Sequence, residues 1–80
     1  MNCQGIDKKG DIVYLACGAS GMLIVDVSSI GTPSILGSYP ASDANDVKVY
    51  GTTAYVADGS GGLVILNVSN PASPSLLGTF

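Results

Sequence analysis

Apolar residues gather in short runs rich in Val, Ile, Leu, Tyr and Thr, and glycine, serine or proline ends each run before it reaches helical length. No segment holds apolar residues at helical spacing over a useful length. The longest runs, residues 22–27 and 63–68, are too short for ordinary helices and are β-branched, which favours buried strands. The pattern predicts strands at 5–8, 12–17, 22–27 and 34–39, then at 46–50, 53–58, 63–68 and 75–80. Lys9-Gly10-Asp11 and Gly51-Thr52 read as tight hairpin turns, where glycine accepts a positive φ. Residues 18–21 and 59–62 read as Gly/Ser loops. Residues 28–33 and 69–74 read as turns in which proline fixes φ and Ser28 or Asn70 bonds its own backbone.

The second half of this pattern restates the first. A shift of 41 positions lays residues 10–39 on residues 51–80 without a gap, matching Tyr14 with Tyr55, Ala16 with Ala57, Gly18 with Gly59 and Gly21 with Gly62. Further along, Ile24 falls on Ile65, Val27-Ser28 on Val68-Ser69, Pro33-Ser34 on Pro74-Ser75, and Leu36-Gly37 on Leu77-Gly78. A period in this range marks an architecture whose units bury their apolar faces only against a neighbour. Four short antiparallel strands per unit match a β-propeller blade. The expected fold is therefore all-β: two four-stranded antiparallel blades, residues 1–39 and 40–80, forming part of a propeller or one protomer of a ring built from several chains. Leu63-Val64-Ile65-Leu66 does not alternate with polar residues, which predicts cover on both faces of the sheet. A two-sheet sandwich is the alternative; it predicts alternation in most strands and gives no reason for the translation.

The segments AYVADGSGGLVILNVSNPASPSLLGTF and VYLACGASGMLIVDVSSIGTPSILGSY resemble LVIVD repeats, a propeller repeat found mainly in bacterial and archaeal proteins. The resemblance covers nearly the whole chain and rests most on Tyr55-Val56-Ala57-Asp58, Gly62-Leu63 and Asn67-Val68-Ser69-Asn70-Pro71. The first unit departs from the pattern where Cys17 stands against Asp58 and where Gly5-Ile6-Asp7 stands against Asp46-Val47-Lys48. The resemblance implies a propeller and an extracellular or cell-surface location, and it carries no catalytic motif.

Composition then removes whole classes of chemistry. The chain has no His, Arg, Trp or Glu, and its three Lys against six Asp leave a net charge of −3. It lacks the basic footprint that phosphate neutralisation requires, so nucleic acid is not an expected partner. No apolar run approaches the roughly 18 residues of a membrane-spanning helix, and residues 1–9 lack the apolar stretch of a secretory signal, so membrane insertion is not expected. Serine is plentiful, but no His is present to activate it. Asp58-Gly59-Ser60-Gly61-Gly62 joins two strands with no helix or Lys behind it, which makes it a turn rather than a phosphate cradle. Cys3 and Cys17 bracket the first hairpin, and their counterparts are Ala44 and Asp58. Two independent thiols are the plainer reading, because directly paired strands strain a cross-strand disulfide, which is the alternative.

Propeller geometry sorts the loops onto two rims. Residues 18–21, 40–45 and 59–62 fall on one, which carries Asp43, Asn45, Asp46, Asp58 and Ser60 and is the expected binding rim. Carboxylates and an amide there match the oxygen ligands of calcium, but the first unit has Asn2, Cys3, Gln4 and Gly5 at the matching positions. Asp46 and Asp58 read better as acceptors for backbone amides at strand ends. Tyr14 and Tyr55 read as packing between blades, and Asp26 and Asn67 as turn formers. Convergent carboxylates leave glycoside hydrolysis formally open, though nothing sets their separation. The expectation is a non-enzymatic interaction module needing no cofactor, whose rim holds a protein or glycan ligand. A calcium-stabilised structural module and, further off, a polysaccharide-acting enzyme are the alternatives. Two uncovered blade faces make copies of itself, or further blades of the same protein, the expected partners, stacked head to tail.

Overall fold

The computed structural model describes residues 3–29 and 31–80. It contains eight strands: β1 (Gly5–Lys9), β2 (Ile12–Ala16), β3 (Met22–Asp26), β4 (Ser34–Tyr39), β5 (Ala44–Tyr50), β6 (Thr53–Asp58), β7 (Leu63–Asn67) and β8 (Ser75–Thr79). They form two antiparallel four-stranded meanders, β1-β2-β3-β4 and β5-β6-β7-β8. Both the all-β class and the two-blade arrangement follow the sequence reading; the two sheets do not close into a ring. The one helical piece among the described residues is a 3-10 turn, Gly59–Gly61, inside the second Gly/Ser loop. Gly10 and Gly51 both take φ 60 as the first of two loop residues, and no described non-glycine residue has positive φ. That combination is the type II′ hairpin pattern, which suits the twist of the flanking strands.

The repeat extends to irregularities. A bulge interrupts the pairing of β3 with β4 between Ile24 and Val25, and of β7 with β8 between Ile65 and Leu66. The residues left over are Leu36 and Leu77, which share a repeat position. Turn chemistry repeats as well: the Ser28 N–H donates to Asp26 Oδ1 at 2.8 Å, and the Ser69 N–H to Asn67 Oδ1 at 2.9 Å. Both side chains act as the turn formers the sequence indicates.

One face of each sheet meets the other. Tyr14, Ala16, Met22 and Ile24 of the first blade pack with Val47, Ala54, Val56, Val64 and Leu66 of the second in a single buried cluster. Burial within β7 therefore alternates, with Val64 and Leu66 inside and Leu63, Ile65 and Asn67 half-buried. This corrects the expectation that both faces of β7 are covered. Two sheets make one interface, and the outer face of each stays open. Tyr14 and Tyr55 divide accordingly, at 3% and 36% exposure.

Polar clasps fix the inner strands across the interface. The Val49 N–H of β5 donates to Asp7 Oδ2 of β1 at 2.7 Å, and Lys9 Nζ donates to the Gly51 carbonyl at 2.5 Å. A side chain on Gly5 would run into the Asp46 backbone, so glycine there permits the close approach of β1 to β5. The Val49 amide, followed by the Lys8 amide and the charge of Lys48, holds the Asp7 carboxyl below its ordinary 3.8, against the opposing effect of desolvation. A depressed folded-state value means that the carboxylate's contribution is fully present above 3.8 and is lost as pH falls through the lowered value. Asp7→Asn is therefore expected to reduce stability near neutral pH and to leave it unchanged well below pH 3.8. Chemical denaturation of both proteins at the two pH values tests this; an equal loss at both would rule out the carboxylate as its source.

Candidate functional site: a polar rim

β5 begins at Ala44, two residues earlier than the sequence pattern indicates, so the linker is residues 40–43 and Asn45 stands in the strand at a bulge between Ala44 and Asp46. The linker and the start of β5 are tied to loops on both sides. Gly18 and Ala44 exchange backbone hydrogen bonds, with the Gly18 N–H donating at 2.8 Å and the Ala44 N–H at 3.0 Å. On the other flank, the Asp43 N–H donates to Asp58 Oδ1 at 2.7 Å, and Ser42 Oγ lies 3.4 Å from the same oxygen. Asp58 is the one buried charged residue described, and these two donors satisfy the carboxylate that burial would otherwise penalise. Gly59, at φ 42, lies directly against the Asp43 side chain, where a Cβ would collide with it.

In the first blade a covalent bond replaces this clasp. Cys17, at the repeat position of Asp58, is bonded to Cys3. Neither cysteine is free. This corrects the plainer sequence reading of two independent thiols: the alternative, a disulfide, joins the end of β2 to the residues that lead into β1.

Between the 18–21 loop and the linker lies an open cavity of about 370 Å³, lined by Gln4, Cys17, Ser20, Asp43 and Asn45 among others. Two of the expected rim residues, Asp43 and Asn45, come together here. Asp58 stands behind them as a backbone acceptor, and Asp46 Oδ1 accepts from the Val47 N–H at 2.9 Å rather than lining the cavity. Ser60 has its side chain outside the described residues. Gln4 was not expected at the site, although the 41-residue shift that pairs it with Asn45 is the signal that would have found it. Each blade thus presents a carboxamide to the rim at the same repeat position. Among the described residues, no three His, Cys, Asp or Glu side chains converge to hold a metal ion. The opposite rim has a hollow of about 480 Å³ beside Asp26, Ser28 and Thr32, where Asp26 is already engaged by its own turn.

The model of the LVIVD repeat matches the chain twice, over residues 2–40 and 41–80. The chain belongs to the LVIVD repeat family. No curated protein and no solved structure matches it. The boundary between the two LVIVD repeats falls at the start of the linker that carries the rim residues. The departure of the first LVIVD repeat at Cys17 is what exchanges a carboxylate clasp for a disulfide, and so two LVIVD blades present one rim fastened by two different chemistries.

Proposed function

We propose that this pair of LVIVD blades is a non-enzymatic binding module of a surface or secreted protein, holding a protein or glycan ligand on the rim formed by the 18–21 loop, the linker and the first residues of β5. The observation that carries the reading is the pairing of Gln4 and Asn45, one carboxamide from each blade, beside Asp43 in a single cavity. Carboxamides both donate and accept hydrogen bonds, so they suit peptide backbone or sugar hydroxyls rather than a bare ion. The disulfide supports an oxidising compartment, where such bonds persist.

Presenting the chain to glycan and peptide arrays, and then repeating the positive binding with Gln4→Ala/Asn45→Ala and with Asp43→Ala, tests the proposal. The expected result is a ligand whose affinity falls at least about tenfold in the variants, the loss of roughly one charge-assisted or two neutral hydrogen bonds. Binding should survive EDTA. Binding that the variants leave unchanged would move the site off this rim; a melting temperature that falls with EDTA and recovers with calcium would favour the metal-stabilised alternative.

A further inference from the structure

The outer faces of the two blades are related to each other as the inner faces are. In the internal interface Tyr14, Met22 and Ile24 of blade 1 meet Val47, Val56 and Leu66 of blade 2. Moving the blade 1 set forward by 41 residues gives Tyr55, Leu63 and Ile65, which lie on the open face of blade 2. Moving the blade 2 set back gives Ile6, Leu15 and Val25, which lie on the open face of blade 1. Exposure shows what is missing: Val47 is fully buried while its counterpart Ile6 is 62% exposed, and Leu36 packs on the core while its counterpart Leu77 is 59% exposed. Gly37 lies against the backbone of Pro71 and Ala72, whereas Gly78, at the same repeat position, has nothing within 4 Å of where a Cβ would stand.

We infer that the occupant of these faces is a second copy of this chain, the open face of blade 2 receiving the open face of blade 1 of the next copy, and that the stack closes into a ring of three or four chains. The contact continues the internal interface by one further application of the same blade-to-blade operation. Because the two faces differ, the contact is heterologous, and such contacts either close or run on as filaments. Propellers close at about four to eight blades. Two differences from the internal junction set the ring size. Asp46 stands where Gly5 stands inside the chain, and its Cβ wedges the inner strands apart; Lys48 stands at the position of Asp7, so the clasp to Val49 is not repeated. Inner strands held further apart widen the channel and favour six or eight blades over four.

Size exclusion with light scattering over a concentration series tests the inference, using the parent chain and two variants, Ile6→Lys on one open face and Tyr55→Lys on the other. The parent is expected at three or four times its 8.0 kDa mass. Each variant alone is expected as a monomer, and a 1:1 mixture as a dimer and nothing larger, since only one pair of intact faces remains. Leu15→Lys and Leu77→Lys repeat the test on the same two faces, and circular dichroism of each variant checks that the sheets are retained. A monomeric parent would overturn the inference, including one that associates only with a different LVIVD blade pair. A variant that still dimerises alone would overturn it too, by showing like faces meeting, as would a mixture that stays monomeric.

Discussion

Reducing the bond between Cys3 and Cys17 is expected to lower the stability of the fold by about 3 kcal/mol, the loop-closure value for a cross-link spanning about 15 residues; the two cysteines are 14 apart. For a domain of this size that amounts to a fall in melting temperature on the order of 15 °C. Cys3 is exposed, so reductant reaches the bond without global unfolding, although Cys17 is buried. The loss should concentrate where the bond acts. In the second blade Asp58 holds the incoming chain through the Asp43 amide, and the first blade has no carboxylate at that position, so reduction leaves the approach to β1 held chiefly by the hydrogen bond from the Gln4 N–H to the Ala16 carbonyl. Melting curves with and without dithiothreitol, beside a Cys3→Ser/Cys17→Ser double variant, check the point. The parent should fall to the level of the variant and the variant should ignore the reductant; a parent that melts unchanged after its thiols are shown to be free would sink the claim.

A matched pair of glycine substitutions is expected to give opposite results. Gly37→Ala places a methyl group on the Pro71 carbonyl and Ala72 backbone, atoms of the other blade that cannot swing aside as a flexible side chain would, and should cost about 2 to 3 kcal/mol by overpacking. Gly78→Ala meets nothing and should stay within about 0.5 kcal/mol of the parent. The two positions are equivalent, each in the last strand of its blade beside the same kind of bulge, so intrinsic strand propensity cancels and the difference reports the contact between blades. Urea denaturation in the Ile6→Lys background, which removes an apolar side chain from the face proposed to receive a second copy, gives the comparison for the chain alone. Equal costs at both positions would mean that the cost is local and that the blades do not press together at Gly37.

The eight strands and their division into two units were readable because strand chemistry and turn chemistry agree at most boundaries and the 41-residue shift checks one half against the other; the start of β5 at Ala44 was not, because Ala44 pairs with Asp58 across a bulge at Asn45 that the pattern does not mark. The rims were readable for the same reason, since meander topology alternates the ends at which loops fall. Which faces are covered was not readable. Leu63-Val64-Ile65-Leu66 is apolar on both sides, and whether Ile65 is buried depends on a neighbour lying outside its own unit. The site was legible only in part. Asp43 and Asn45 stood out as polar residues beside a predicted turn, but the inward turn of Asp58 depends on where the Asp43 amide ends up, which spacing alone does not give. Gln4 was passed over because it precedes the first strand, where no motif marks it and only its repeat counterpart gives it meaning. For Cys3 and Cys17, the number of cysteines allowed the bond without requiring it.

Every ladder in the two sheets joins strands that follow one another in the chain, and the backbone bridge from Gly18 to Ala44 is the one described pairing that crosses from one unit to the next. A duplication of one whole unit, cut in the linker, would therefore break no strand pairing inside either sheet. Its cost would fall on the contacts between units, namely the packed faces, the Gly18–Ala44 bridge and the hydrogen bonds from Val49 to Asp7 and from Lys9 to Gly51. Such a chain can gain length in steps of about forty residues during its evolution, each added unit bringing a face that the existing stack can cover.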